Sequence, residues 1–376
     1  MTGVGYPTLP SWRVHRGTTG NDTIIGTEGR DAIYGDEGHD VIEGLGGDDL
    51  IYGDAGNDTV SYASSPAAVQ VSLYPDTIQH GGDAEGDRLF SIENAIGSAF
   101  GDSITGSDQD NRLEGGGGRD MLYGRGGSDT LIGGLDGEAD VIDGGADTDT
   151  VDYSAGRLGM TITLGNGPTK LGNGTPGSAV VDDHVEYFDV FGGRTLSMRR
   201  DGWQEDELYS IENVIGSQGN DTITGNGVGN RLEGGNGDDV IDGGGGVDTI
   251  IGGRGVDELT GGPGADTFVF LDVSDSDGAT GGVDFIWDFI PGEDKIDVSA
   301  IDADTTRSGN QGFTVVEDFT GHVGELTMFL FTNPDNTFIA NRWIISGDVD
   351  GDGAWDFKFD MWPASFSDVT AADFIL

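Results

Sequence analysis

From Gly17 to Ser61 one aliphatic residue returns at every ninth position, as Ile24, Ile33, Ile42, Ile51 and Val60, in a segment that is otherwise polar and rich in glycine. The five units read GTTGNDTII, GTEGRDAIY, GDEGHDVIE, GLGGDDLIY and GDAGNDTVS. A fixed period outranks residue-by-residue propensity as a guide to fold. The first six residues of each unit hold two or more Gly, which allow positive φ and tight turning. The last three predict a very short strand whose position-eight residue points inward and whose neighbours point out. Such a unit buries its apolar residue only by stacking on copies of itself. Two nonapeptides therefore predict one coil of a right-handed parallel β-roll, an all-β fold.

The same grammar returns twice. A second block, 97–152, has the inward row Ile104, Leu113, Leu122, Leu131, Ile142 and Val151. A third, 216–269, has Ile223, Leu232, Ile241, Ile250, Leu259 and Phe268. The intervening stretches 62–96 and 153–215 read as degenerate coils with loops thrown out. Val69, Val71 and Leu73 alternate, as Ile162 and Leu164 do, which predicts a strand in each. SIENAIGS at 91–98 matches SIENVIGS at 210–217, so insertion plus block is itself a repeat. The longer insertion carries an extra loop over about 165–203. Residues 1–16 read as an arm capping the first coil, and 17–269 as the roll. From 270 glycine falls and aromatics concentrate, and LTMFLF and NTFIANRWII flank a turn, a hairpin signal. Residues 270–376 thus read as a β-rich module that caps the stack, whose open end would otherwise expose strand edges and core.

Position six of each unit carries the candidate chemistry. It holds Asp22, Asp31, Asp40, Asp49 and Asp58 in the first block. The second has Asp102, Asn111, Asp120, Asp129, Asp140 and Asp149, and the third Asp221, Asn230, Asp239, Asp248, Asp257 and Asp266. Asp87 and Asp206 keep the Asp–x–aliphatic triplet inside the insertions. Residues 18 apart fall on neighbouring coils, about 4.8 Å apart. Facing carboxylates at that distance repel, and a hard divalent cation relieves the repulsion. Ca²⁺ accepts roughly six to eight oxygens from carboxylates and turn carbonyls, whereas Mg²⁺ demands a rigid octahedron. Pairing each position-six residue with the one two units on gives eleven pairs, two with Asn, so roughly ten ions are expected. Eleven Ca²⁺ would take the formal charge from −50 to −28, two per ion. The alternative is that these Asp residues only close Asx turns. Separately, Asp348, Asp350, Asp352 and Asp356 form D-x-D-x-D-G-x-x-D, which resembles the start of an EF-hand loop, but Phe359 stands where that loop has Glu. A calcium site and an acidic turn are both open there.

The tandem GGxGxDxUx pattern resembles the RTX calcium-binding repeat of proteins exported by Gram-negative bacteria. GADTFVF, DFIPGEDKIDVSAIDA, GDVDGDGAWDF and the final ADFIL resemble the C-terminal domain of the serralysin group over about 250–376. The resemblance implies calcium as cofactor and export by a type I secretion exporter. Asp373–Leu376 would be its uncleaved signal, with Leu376 departing from the more usual Val.

Composition narrows the function. There are 70 Gly, and 68 acidic against 18 basic residues. That balance argues against nucleic acid or an anionic membrane as partner, since both call for basic patches. Cysteine is absent, which removes disulfides, zinc–thiolate sites and thiol catalysis. No run of 18 apolar residues occurs, and the first residues lack the apolar core of a cleavable signal. None of the five His forms H-E-x-x-H, and His184 in the long loop reads as a solvated side chain. The expectation is a secreted scaffold, adhesin, matrix or surface-layer protein that folds on calcium and contacts polysaccharide or a cell surface. The alternatives are a module acting on polysaccharide, like alginate epimerases, one that accompanies a protease, or an RTX-type membrane-active protein.

Overall fold

The structure, a computed structural model, describes residues 12–75, 77–165, 206–278, 282–332, 342–363 and 369–376, with short strands also at 177–181, 187–188 and 195–196. Among the described residues there is no α-helix, only strands and three short 3-10 turns. The described residues form two compact units, one from 12–151 together with 206–211, the other from the remaining described residues.

In the first unit successive nonapeptides feed alternate sheets, because each turn reverses the chain and each three-residue strand carries it back. Thr23–Ile25, Val41–Glu43, Thr59–Ser61, Asn94–Ile96, Arg112–Glu114 and Thr130–Ile132 run parallel in one sheet. The registers Ile24 on Ile42 and Leu113 on Leu131 align the inward rows. The other strands form two sheets. Arg13–Arg16, Asp31–Tyr34, Leu50–Tyr52 and Arg88–Phe90 make one. Gln70–Ser72, Ser103–Thr105, Met121–Arg125, Val141–Gly145 and Asp206–Tyr209 make the second. The 62–96 insertion separates the two: its strand Gln70–Ser72 seeds a new sheet, while Arg88–Phe90 ends the old one.

The second unit repeats this plan. Asn213–Ile215, Arg231–Asn236, Thr249–Arg254, Thr267–Val269, Lys295–Asp297 and Phe374–Ile375 run parallel. Met160–Thr163, from the longer insertion, seeds the facing series through Thr222–Thr224, Val240–Asp242, Glu258–Thr260 and Asp284–Phe289. Phe357–Pro363 joins that series parallel, then Arg342–Asp348 and Glu325–Phe331 add on antiparallel. The hairpin expected around 325–348 is therefore present as paired strands, its turn lying outside the described residues. Most of the 165–203 loop and His184 also lie outside them, apart from strands such as Gly177–Val181, which pairs antiparallel with Met160–Thr163.

The inward rows form the core. Ile33, Ile42, Ile51, Leu113, Leu122, Ile223, Leu232, Ile241 and Phe268 are fully buried. Full burial of one such side chain contributes about 1.5–3 kcal/mol, so strands of three residues persist only because every coil adds a layer.

Candidate metal centre

The turns place the position-six residues in columns, one coil above the next. The Asp22 N–H donates to Asp40 Oδ1 at 2.8 Å, Asp31 to Asp49 at 2.8 Å, and Asp40 to Asp58 at 2.8 Å. In the second block Asp102 donates to Asp120 at 2.7 Å, Asn111 to Asp129 at 2.7 Å, Asp120 to Asp140 at 2.8 Å and Asp129 to Asp149 at 2.9 Å. In the third, Asp221 donates to Asp239 at 2.7 Å, Asn230 to Asp248 at 2.7 Å, Asp239 to Asp257 at 2.9 Å and Asp248 to Asp266 at 2.9 Å. All eleven expected pairs are neighbours. These carboxylates reach across coils, not to the N–H two residues on, so the ladder is not a series of Asx turns.

The insertions join the same ladder. Asp49 donates to Asp87 Oδ1 and Asp140 to Asp206 Oδ1. Val69 and Met160, leading the two insertion strands, donate to Asp102 and Asp221, each at 2.6 Å. Three rungs escaped the sequence reading. Glu93 Oε2 accepts from Asp58, Asp284 Oδ1 from Asp257 at 3.0 Å, and Asp294 Oδ1 from Asp266 at 3.0 Å. Asp284 and Asp294 lie 27 and 28 residues beyond their partners, off the period of 18, and only the triplets Asp-Phe-Ile and Asp-Lys-Ile betray them.

The second carboxylate oxygen divides the rungs into two classes. Asp22 Oδ2 accepts from the Thr18 N–H and Asp31 Oδ2 from the Thr27 N–H, residues at position two of the same units. Ser98 serves Asp102 and Ser217 serves Asp221 likewise. Asn111 Oδ1 accepts from Ser107, while its Nδ2 donates to the Glu93 carbonyl at 2.7 Å. Asn230 does the same with Asn226 and Glu212. In every other unit of the three blocks position two has positive φ: Asp36, Leu45, Asp54, Gly116, Arg125, Gly134, Gly145, Gly235, Gly244, Gly253 and Gly262. Of the carboxylates in those units, Oδ2 of Asp40, Asp49, Asp58, Asp120, Asp129, Asp239, Asp248, Asp257 and Asp266 is buried and accepts no hydrogen bond.

A buried carboxylate oxygen without a donor is costly. Loss of hydration pushes these groups up against the partial relief of the cross-coil N–H. Asp239 rises to about 9, Asp120 to about 8, Asp49, Asp129 and Asp140 to about 7, and Asp58 and Asp266 to about 6. Asp87 rises to about 8 for the same reason, although the Tyr62 hydroxyl donates to its Oδ2 at 3.0 Å.

Position one completes the cradle. A Cβ on Gly35 would sit 2.3 Å from Asp40 Oδ2 and 2.6 Å from the Gly53 carbonyl oxygen. On Gly234 it would meet Asp239 Oδ2 at 2.2 Å and the Gly252 carbonyl at 2.5 Å. Glycine is required here because two oxygens from successive coils converge beside its Cα. Orphaned anionic oxygens, turn carbonyls and the absence of nitrogen or sulfur donors fit a hard cation such as Ca²⁺.

The acidic loop is separate. Asp348, Asp350 and Asp356 bring carboxylate oxygens within 4.8 Å of one another. Asp352 stands outside this group, exposed, and its Oδ1 accepts from the Ala354 N–H. Asp348 is buried and holds the loop by accepting from Gly351 and Gly353.

The RTX calcium-binding nonapeptide repeat matches at 16–49, 34–64, 96–131 and 135–157. The serralysin C-terminal domain of the M10 peptidases matches 207–376, starting well before residue 250 and so taking in the third block. A serralysin of Photorhabdus luminescens is 47% identical over 147 residues, 39% of this chain and 27% of that protein. Metallopeptidase AprA of Pseudomonas marginalis is 44% identical over 165 residues, 43% of this chain and 29% of its own length. The match thus spans little more than a quarter of these relatives. Among solved structures, the R3 subunit of the Azotobacter vinelandii mannuronan C5-epimerase AlgE6 aligns with a TM-score of 0.33 and 28% identity, covering 43% of this chain and 80% of that one. No helix among the described residues is long and apolar enough to cross a membrane. The chain carries RTX calcium-binding repeats and ends in a domain of the serralysin C-terminal type, on an all-β parallel roll.

Proposed function

We propose that this protein is a secreted calcium-folded scaffold that leaves the cell unfolded through a type I exporter and folds in the calcium-rich exterior. The supporting observation is the column of buried carboxylate oxygens without donors, repeated through both units. Asp40, Asp49, Asp58, Asp120, Asp129, Asp239, Asp248, Asp257 and Asp266 would hold the ions, helped by turn carbonyls of the position-one glycines. Bound calcium supplies the positive charge that this ladder lacks. The chain's own part is to align the carboxylates by cross-coil N–H bonds, keep water away with the aliphatic rows, and leave room beside each glycine. With 68 acids against 18 bases, the unfolded chain repels itself, so metal and folding are coupled.

Outside the cell the folded roll serves as an adhesin, matrix or surface-layer component, through contact with polysaccharide or a cell surface. A binding role, not catalysis, fits a chain without the H-E-x-x-H motif of zinc peptidases. Two experiments test the proposal. Export with a type I exporter, with and without Phe374–Leu376, should fail for the truncated chain, and equal export would refute that route. Incubation of the calcium-loaded protein with polysaccharides should leave them chemically unchanged, and new products would replace the scaffold reading with an enzymatic one.

A further inference from the structure

We infer that repeat position two decides which rungs take a cation, and that the first two rungs of every block are closed by protein hydrogen bonds and take none. The six closed rungs are not scattered. Thr18 and Thr27 open the first block, Ser98 and Ser107 the second, Ser217 and Asn226 the third. At each, the position-two N–H donates to the position-six side chain, at 2.5 to 2.9 Å. Side chains add to the lock. The Ser98 hydroxyl donates to Asp102 at 2.9 Å, and that of Ser217 donates to Asp221 at 2.8 Å. At Asn111 and Asn230 the amide Nδ2 fills a carbonyl, so no anionic oxygen is left over.

The eleven later units have the opposite turn. Their position-two residues take φ between 62° and 150°, a range that glycine enters freely and other residues enter at a cost. In that conformation the position-two N–H is not among the donors to Oδ2, and nine of the eleven carboxylates keep a buried, undonated oxygen. Three non-glycine residues, Asp36, Leu45 and Asp54, accept the strain in succession in the first block. Strain held at three consecutive turns is expected where it exposes a ligand oxygen. Closure also recurs beyond the repeats: the Ile290 N–H donates to Asp294 Oδ2 at 2.7 Å, four residues back, as position two does in a closed unit. Each block therefore starts on a metal-independent pair of turns, against which the cation-dependent turns stack.

The inference rests on the calcium reading, and the test separates the two. Native mass spectrometry of the full chain in calcium counts bound ions. Ser98→Gly removes the hydroxyl anchors and frees the backbone for the open turn of Gly116 on the next coil, where φ is 105°. It should bind one ion more than the wild type, and Ser98→Ala, which disfavours positive φ, should bind no more. Equal counts for all three, with calcium still bound by the wild type, overturn this inference alone. A wild type that binds no calcium overturns the calcium reading as well. A second measurement needs no variant. Amide exchange in saturating calcium should leave the N–H groups of Thr27, Ser98 and Ser217 protected at least tenfold over the position-two amides of Asp36, Leu45 and Asp54, which have positive φ and lie outside the strands. Loss of that protection on adding calcium would show that the ion had taken those carboxylates.

Discussion

Asp239 and Asp257 lie on successive coils, the Asp239 N–H bonded to Asp257 Oδ1 at 2.9 Å, while Oδ2 of each is buried without a donor. The bond fixes where the carboxylate sits, and the leftover oxygen fixes what it needs. Asp239→Asn removes a charge whose pKa burial has raised to about 9. It should raise the calcium concentration at half-folding about tenfold and stabilise the chelated chain. Circular dichroism with and without chelator measures both shifts, and an unchanged calcium midpoint would remove Asp239 from the ligands.

The glycine at position one is a second, sharper test. Gly234→Ala places a Cβ 2.2 Å from Asp239 Oδ2 and 2.5 Å from backbone oxygen, so the turn must move. The expected cost is about 1–3 kcal/mol by urea unfolding in saturating calcium. Gly29→Ala meets nothing within 4 Å and should stay within about 0.5 kcal/mol of wild type.

In the absence of metal the sign of the pH dependence is fixed by the raised carboxyls. Asp239 moves from 3.8 to about 9, Asp120 and Asp87 to about 8, and Asp49 to about 7. The folded state holds protons that the unfolded state releases, so its stability falls as pH rises. The contribution is complete below about pH 4 and is lost through about pH 7–9. A chelated sample should be most compact in acid and expand towards neutrality. Calcium reverses the trend, because protons compete with the ion for the same oxygens.

Beyond the repeats, Asp284→Ala should cost about 1–3 kcal/mol by leaving the Asp257 N–H without its acceptor. Asp348→Ala should also destabilise, since two loop N–H groups bond to it, while Asp352→Ala should be nearly neutral. Equal effects at Asp348 and Asp352 would contradict the division of that loop.

The inward rows, the eleven pairs and the rungs at Asp87 and Asp206 were legible because a period of nine places one aliphatic and one acid per turn. Asp284 and Asp294 were not, because longer loops break the spacing while the spatial register survives. Glu93 was hidden by its type, its longer side chain reaching the position an Asp holds elsewhere. The split between closed and open rungs was written in position two, where Thr, Ser and Asn open each block and Asp, Leu, Arg or Gly follow, but only backbone φ shows its meaning. Asn111 and Asn230, expected as weakened cation ligands, instead spend their amides on carbonyls of the chain itself.

The most direct measurement is a calcium titration of the purified chain, followed by far-ultraviolet circular dichroism and hydrodynamic radius, with magnesium in parallel. The account predicts a cooperative passage from an expanded chain to a compact β signal in calcium and none in magnesium. A chain already compact in chelator at neutral pH would contradict it, and the buried carboxylates would then be held by protons and backbone N–H groups alone.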